Sequence, residues 1–212
     1  MSAAEYYVPA DAGEAEFTEK RSRFLGHVRR VETEEQARAF LDEMRKKYYD
    51  ARHNCWCYVL HDGGVVRYGD DGEPQGTAGQ PMLNVFQREG VENVVCVVTR
   101  YFGGVLLGAG GLTRAYAKSA KDALDAAGKA RMRLWSAAAV ECPYPMLERL
   151  KLLIAAQNGT VERTDFGAVV GVHLLLPKEN AAAFAAALTE LSAGSLSVRA
   201  EGEHFLPGAR ED

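Results

Sequence analysis

Apolar and polar positions alternate and then change period along this chain, and the changes mark its elements. Over residues 15–31, Phe17, Phe24, Leu25 and Val28 sit among basic residues, which reads as extended chain. Thr33 opens a helix: Gln36 completes a capping box, and Ala37, Phe40, Leu41 and Met44 recur at helical spacing. CWCYVL at 55–60 predicts a strand and residues 65–68 a shorter one, joined by the HDGG turn at 61–64. The stretch 69–81, punctuated by glycine and proline, predicts a loop, followed by a helix over about 81–88. VVCVV at 94–98 is an uninterrupted apolar run of strand length, and a helix to about Ala127 follows it.

A break over residues 128–133 predicts the domain boundary, giving one domain over 1–130 and a second over 131–212. Beyond it the pattern is strand (135–142), helix (146–157, stopped by Asn158-Gly159), strands (160–163 and 168–176), helix (180–192) and strand (196–203). The class is α+β, and the second order, βαββαβ, is that of a ferredoxin-like domain. The terminal PGARED reads as a frayed tail.

The chemistry concentrates at 99–121. Gly103, Gly104, Gly108, Gly110 and Gly111 separate the pair Tyr101–Phe102 from a helix, and Thr113 lies in that helix's first turns. A helix start leaves backbone N–H groups unpaired at the positive end of the dipole and so favours anions. At 100° per residue, Arg114, Lys118 and Lys121 fall on one stripe, opposite Ala115, Tyr116, Ser119, Ala120, Ala123 and Ala127. The helix is thus alanine-rich on its buried face and basic outside. No lysine follows the glycines as a Walker A loop requires, and Thr113 stands where a Rossmann loop has its third glycine.

Composition narrows the class. The 212 residues are 47% hydrophobic and 25% charged, ordinary for a soluble globular chain. No apolar run approaches the ~20 residues that span a bilayer, the N-terminal stretch is acidic rather than signal-like, and Cys55, Cys57, Cys96 and Cys142 lie in strand-like segments. A cytoplasmic protein with reduced thiols and no membrane partner is the expectation, with its oligomeric state open. Net charge is −4, with 18 Lys/Arg against 19 Asp/Glu in residues 1–131. An RNA ligand would therefore meet a local basic patch.

Other constellations are weaker. Cys55 and Cys57 share a strand face and His53 is near in sequence, but a zinc site needs about four ligands, so core packing is the better reading. Asp70, Asp71 and Glu73 resemble paired carboxylates or an Mg²⁺ set, although solvated turn residues fit such a loop better. No HExxH or GxSxG occurs, so no catalytic residue, metal or cofactor is assigned. Tyr101 and Phe102 read as core residues first and as base-stacking residues second.

Four segments carry a resemblance: KRSRFLG at 20–26, ARHNCWCY at 51–58, DDGEPQGTAGQP at 70–81 and VVTRYFGGVLLGAGGLTRAY at 97–116. Together they resemble the IMPACT family, densely over residues 15–127, and the part after Arg133 fits the extra domain of its bacterial members. The resemblance implies a first domain like domain IV of elongation factor G and a small-subunit ribosomal protein (a βαβ fold), and a second like domain V of that factor. Those relatives work on the ribosome. Eukaryotic members of the family compete for a ribosome-associated activator of the amino-acid-starvation kinase and so regulate translation. The motif positions present are Arg100, Tyr101, Phe102, Gly103, Gly104, Gly108, Gly111, Leu112, Arg114 and Tyr116, with Asp71, Gly72, Glu73, Pro74, Gly76, Thr77, Ala78 and Gly79.

The expectation is a non-enzymatic protein that binds RNA or a ribosomal surface, or a protein of the translation machinery, and regulates translation. Gly108–Gly111, the following N–H groups, Arg114, Lys118 and Lys121 would hold a phosphate. Arg100 and the loop 70–79 would form the rim, with Asp71 and Glu73 acting by repulsion. Two alternatives stay open: an enzyme binding nucleotide phosphates at Gly108–Gly111, as small-molecule kinases of the same fold group do, and a protein-binding adaptor.

Overall fold

The computed structural model describes residues 6–211. It opens with a short strand that the sequence pattern did not reveal, β1 (Tyr7–Pro9), then β2 (Gly13–Glu19) and β3 (Ser22–Arg30). The run expected to be extended over 15–31 is a hairpin reversed at Lys20–Arg21, whose φ values are +44° and +67°. A two-residue turn of that hand matches the strand twist and is normally supplied by Asn-Gly or Asp-Gly. Two basic residues give no such signal.

α1 (Glu34–Lys47) starts with half of the expected box: Gln36 N donates to the cap's Thr33 Oγ1 at 3.3 Å, while Gln36 Oε1 accepts from Glu32 N, one residue before the cap, at 2.7 Å. The strands β4 (His53–Leu60) and β5 (Val65–Gly69), the helix α2 (Gly79–Glu89), the strand β6 (Val94–Tyr101) and the helix α3 (Ala109–Ala127) complete the first unit's main elements. The strands form an antiparallel sheet in the order β2–β3–β6–β4–β5. Central β6 is buried on both faces. Val94, Cys96 and Val98 meet Phe24, Met82, Phe86 and Tyr116 under α2 and α3, whereas Val95 and Val97 meet Phe40 and Met44 of α1.

α3 lies at backbone distance from β2 and β3. A Cβ on Gly13 would land on Ala123 O, and one on Gly26 would lie 2.5 Å from Ser119 O. Glycine there serves close approach rather than an unusual φ.

His27 of β3 is 4% exposed, and neither ring nitrogen has a hydrogen-bond partner among the described residues; Glu14 Oε1 lies 3.3 Å from Nδ1 without bonding geometry. Burial pushes its imidazole below the usual 6.5, against Glu14, which raises it, and with Lys47 and Arg29, which lower it further. Below pH 6.5 the unfolded chain binds a proton that the folded imidazole refuses, so stability should fall as pH drops and level off once the folded group titrates. Urea midpoints from about pH 7.5 to about pH 5 should show this arm in the wild type and lose it in His27→Gln. Identical pH profiles for the two proteins would refute the assignment.

In the second unit come β7 (Lys129–Cys142), α4 (Leu147–Ala156), β8 (Thr160–Phe166), β9 (Val170–Pro177), α5 (Ala181–Ser192) and β10 (Arg199–Glu211). The compact units divide at residues 132 and 133, with 207–211 returning to the first. No linker occupies 128–133, as β7 is strand from Lys129 onward. Its residues 129–131 pair with β1, and those from Trp135 pair with β9. Nor are residues 207–211 the frayed tail that the sequence predicts. Residues 207–211 belong to β10, and in the first unit Arg210 faces Asp11 at 3.6 Å and Arg131 faces Glu211 at 3.7 Å. Asp212 lies outside the described residues.

The second unit's strands run β10–β7–β9–β8. Val170, Val172, Leu174 and Leu176 alternate toward a core shared with Leu150, Ile154, Phe184 and Leu188 of α4 and α5. All four cysteines are buried free thiols. Among the described residues no helix is long and apolar enough to cross a membrane.

Candidate functional site

Gly108 caps α3 with φ +74° and offers no side chain to the helix start. Leu112 N donates to Gly108 O at 2.9 Å, so the N–H groups of Ala109, Gly110 and Gly111 lie in the first turn, where no intrahelical acceptor exists. Residues 108–110 are exposed, at the positive end of a 19-residue helix. The glycine segment before it is open too: Gly104 has φ +81° and space around its Cα. Gly103 is confined. Its N donates to Ser22 Oγ at 3.2 Å, and a Cβ there would land on the Arg21 carbonyl, which ties the segment to the strained hairpin.

Beneath this end lies a buried polar network. Arg100, 4% exposed at the end of β6, donates from Nη1 to Glu73 Oε1 at 2.7 Å and from Nη2 to Ser22 Oγ at 3.2 Å. Tyr116 OH donates to the same Glu73 oxygen at 2.7 Å. The guanidinium sits 5.5 Å from the Phe24 ring centroid and 5.4 Å from that of Phe102, and its Nε has no acceptor among the described residues. Two expectations are corrected here. Arg100 is a buried ion-pair partner and not a rim residue, and Glu73, neutralised by it, has no free charge with which to repel. Burial raises the Tyr116 hydroxyl and the Cys55 thiol far above their usual values, so both stay protonated.

The loop carboxylates are structural rather than solvated. Asp70 accepts from Ala78 N (3.1 Å), Gly79 N (2.8 Å) and Gly76 N (2.7 Å), closing the loop on the start of α2. Thr77 Oγ1 donates to Pro74 O at 2.6 Å. Asp71, with φ +43°, accepts from Asn54 N at 2.7 Å. Its carbonyl lies 2.9 Å from His53 Nδ1; a carbonyl only accepts, so Nδ1 carries a proton, and in the neutral imidazole Nε2 carries the lone pair. No group of three or more His, Cys, Asp or Glu is placed to hold a metal among the described residues.

A cavity of 310 Å³ opens above Arg100, walled by Arg52, His53, Phe102, Leu106 and Leu112, with Gly108 and Ala109 at its edge. Leu107 separates it from a 160 Å³ hollow bordered by Lys20, Glu19, Arg114 and Gly111. Phe102 and Leu106 are large apolar side chains left 43% and 81% exposed.

The expected basic stripe survives only at its first residue. Lys118 pairs with Asp122, while Lys121 pairs with Asp125 and lies 3.7 Å from Glu89. Arg114, Lys20, Arg21 and Arg52 are exposed and, among the described residues, face no carboxylate within ion-pair distance. Thr113 is turned to the opposite side, in a groove with Asn84 and Arg88 of α2. Tyr101 is half-buried; its OH donates to Asp50 at 2.7 Å, a bond that pushes its pKa up to about 12. Phe102, Gly103, Gly104, Gly108, Gly110, Gly111 and Arg114 thus gather at one end; Lys118 borders the 160 Å³ hollow there but is paired with Asp122, and Lys121, Thr113, Gly76 and Thr77 line neither cavity. Sequence reasoning assigned no site role to Arg52 or Leu106, and weighed His53 only as a metal ligand.

The family described as Impact N-terminal domain matches residues 20–124, and one described as Domain of unknown function (DUF1949) matches 140–195. The chain is 35% identical over 199 residues to IMPACT family member YvyE of Bacillus subtilis, covering 93% of this chain and 91% of that protein. It is 36% identical over 184 residues to IMPACT family member YigZ of Escherichia coli, covering 85% and 90%. It is also 38% identical over 96 residues to the Protein IMPACT homolog of Dictyostelium discoideum, covering 43% of this chain and 27% of that one. A crystal structure described only as that of an hypothetical protein superposes with TM-score 0.59 and 34% identity, over 95% of this chain and 98% of the other.

Proposed function

The chain belongs to the IMPACT family, and on that premise we propose that it is a non-enzymatic, cytoplasmic protein that binds RNA on a ribosomal surface and regulates translation. One observation carries this reading. Among the described residues Lys20, Arg21, Arg52 and Arg114 have no carboxylate partner; Arg52 walls the cavity with exposed Phe102 and Leu106, and Lys20 and Arg114 border the adjoining hollow across Leu107 at the start of α3. Several other exposed cations of the first unit are matched, as in Arg23–Glu16, Arg29–Glu43 and Lys118–Asp122. Free cations beside exposed aromatic and apolar groups suit a phosphate backbone with unpaired bases. The non-enzymatic reading is supported by groups held inert: a protonated Cys55 thiol, a protonated Tyr116 and an Arg100–Glu73 pair closed on itself.

The fold is read in the same terms. The strand order β10–β7–β9–β8 with two helices supports a ferredoxin-like second domain. The first domain is read as resembling domain IV of elongation factor G.

Sedimentation of lysate through sucrose, at low and moderate salt and with or without RNase, tests the proposal. Migration with a ribosomal subunit that is lost with added salt and with RNase is the expected result. Migration that survives RNase favours the protein-binding adaptor, and a protein found only at the top of every gradient sinks the ribosomal reading.

A further inference from the structure

The cavity above Arg100 has features that a surface for backbone phosphates does not need. Phe102 is stacked on one side only. The Arg100 guanidinium lies beneath its ring at 5.4 Å, and that guanidinium is itself fixed by Phe24, Glu73 and Ser22. The ring is therefore held from below by a core group while remaining 43% exposed. A flat aromatic group positioned before binding loses little entropy when it accepts a partner. Leu106 and Leu112 supply further apolar wall, and 310 Å³ is at the small end of the range for ligand clefts.

The polar groups around this slot are of two kinds. Donors come from the uncapped first turn of α3, from exposed Arg52, and from Arg100, whose buried Nε–H has no acceptor although its side chain is only 5% exposed. A buried donor without a partner among the described residues is open to an ordered water or to a ligand atom entering the cavity. The acceptor is His53 Nε2, left with a lone pair because Nδ1 donates to Asp71 O. The one carboxylate in the wall, Glu73, is neutralised by Arg100.

We propose that this cavity receives one unstacked ribonucleotide of a bound RNA strand. Its base lies on the open face of Phe102, its phosphate at the start of α3 beside Arg52, and its 2′-OH donates to His53 Nε2. The assignment rests on the RNA-binding reading above and deepens it. Stacking tolerates any base, and the 2′-OH separates RNA from DNA.

Fluorescence anisotropy of labelled oligouridylate and of oligodeoxyuridylate of equal length, on the full chain, tests it. Wild type should prefer the ribo strand. Phe102→Ala should weaken oligouridylate binding by about 5- to 150-fold, the span of base–aromatic stacking, with the salt slope unchanged. His53→Ala should bind both strands alike. If wild type binds oligouridylate but neither variant differs from it, the cavity assignment is overturned while the RNA reading stands. If wild type binds no oligouridylate, the RNA reading falls and takes the assignment with it. Thermal stabilisation by UMP in a protein that binds no strand places a free nucleotide in the cavity and overturns the strand assignment.

Discussion

Arg100→Met should destabilise the first unit by about 3–5 kcal/mol, the cost of breaking a buried ion pair by removing one partner. Arg100 and Glu73 side chains are 5% and 3% exposed, so the abandoned carboxylate has no water to turn to. It keeps only the Tyr116 hydroxyl. The variant also removes the group that fastens Phe102 to Phe24. The double variant Arg100→Met/Glu73→Leu should recover much of the loss, because two apolar side chains of similar volume leave no charge stranded. Urea unfolding of the full chain followed by tryptophan fluorescence in a Trp135→Phe background, which leaves Trp56 as the reporter, measures both. A single variant within about 1 kcal/mol of wild type, or a double variant no better than the single, would show that the pair is not the charge-compensated anchor described here.

Arg52→Glu with Arg114→Glu should weaken RNA or ribosome binding by roughly 2- to 30-fold per site, as a surface attraction is lost and a repulsion of similar size replaces it. Two phosphate contacts on a single strand correspond to a salt slope shallower by about 1.4. Lys118→Glu with Lys121→Glu supplies the contrast. Those lysines already face Asp122, Asp125 and Glu89, so reversing them should change binding little. Binding measured against salt concentration for both pairs decides between the two surfaces. A larger effect at Lys118 and Lys121 would return the site to the outer stripe of α3.

Part of this correction was available in the sequence. Lys118–Asp122 and Lys121–Asp125 are four residues apart on a helix, the spacing at which side chains meet. Counting basic residues on the stripe without their acidic neighbours made it look free. The Lys20–Arg21 turn gave no comparable clue, since residues of ordinary turn chemistry are absent and strand pairing imposes the positive φ. β1 was equally hidden: its three residues become a strand only because residues 129–131 lie beside them.

Local order was in the residues themselves. Capping by Thr33 and Gln36, the apolar period of α1, the continuous apolar run of β6 and the two-faced α3 each depend on neighbours a few positions away, so pattern alone located them. The motifs at 20–26, 51–58, 70–81 and 97–116 likewise sufficed to place the chain in its family. Tertiary structure alone decided what those motif residues do. Arg100 and Glu73 are 27 positions apart, and Arg100 and Ser22 are 78 apart. Whether such charges face water or each other depends on which strands and loops close over them, and burial then turns a pair of apparent ligand-binding charges into a neutral floor. The cations at the start of α3 became identifiable only once the lysines further along the helix had found their partners.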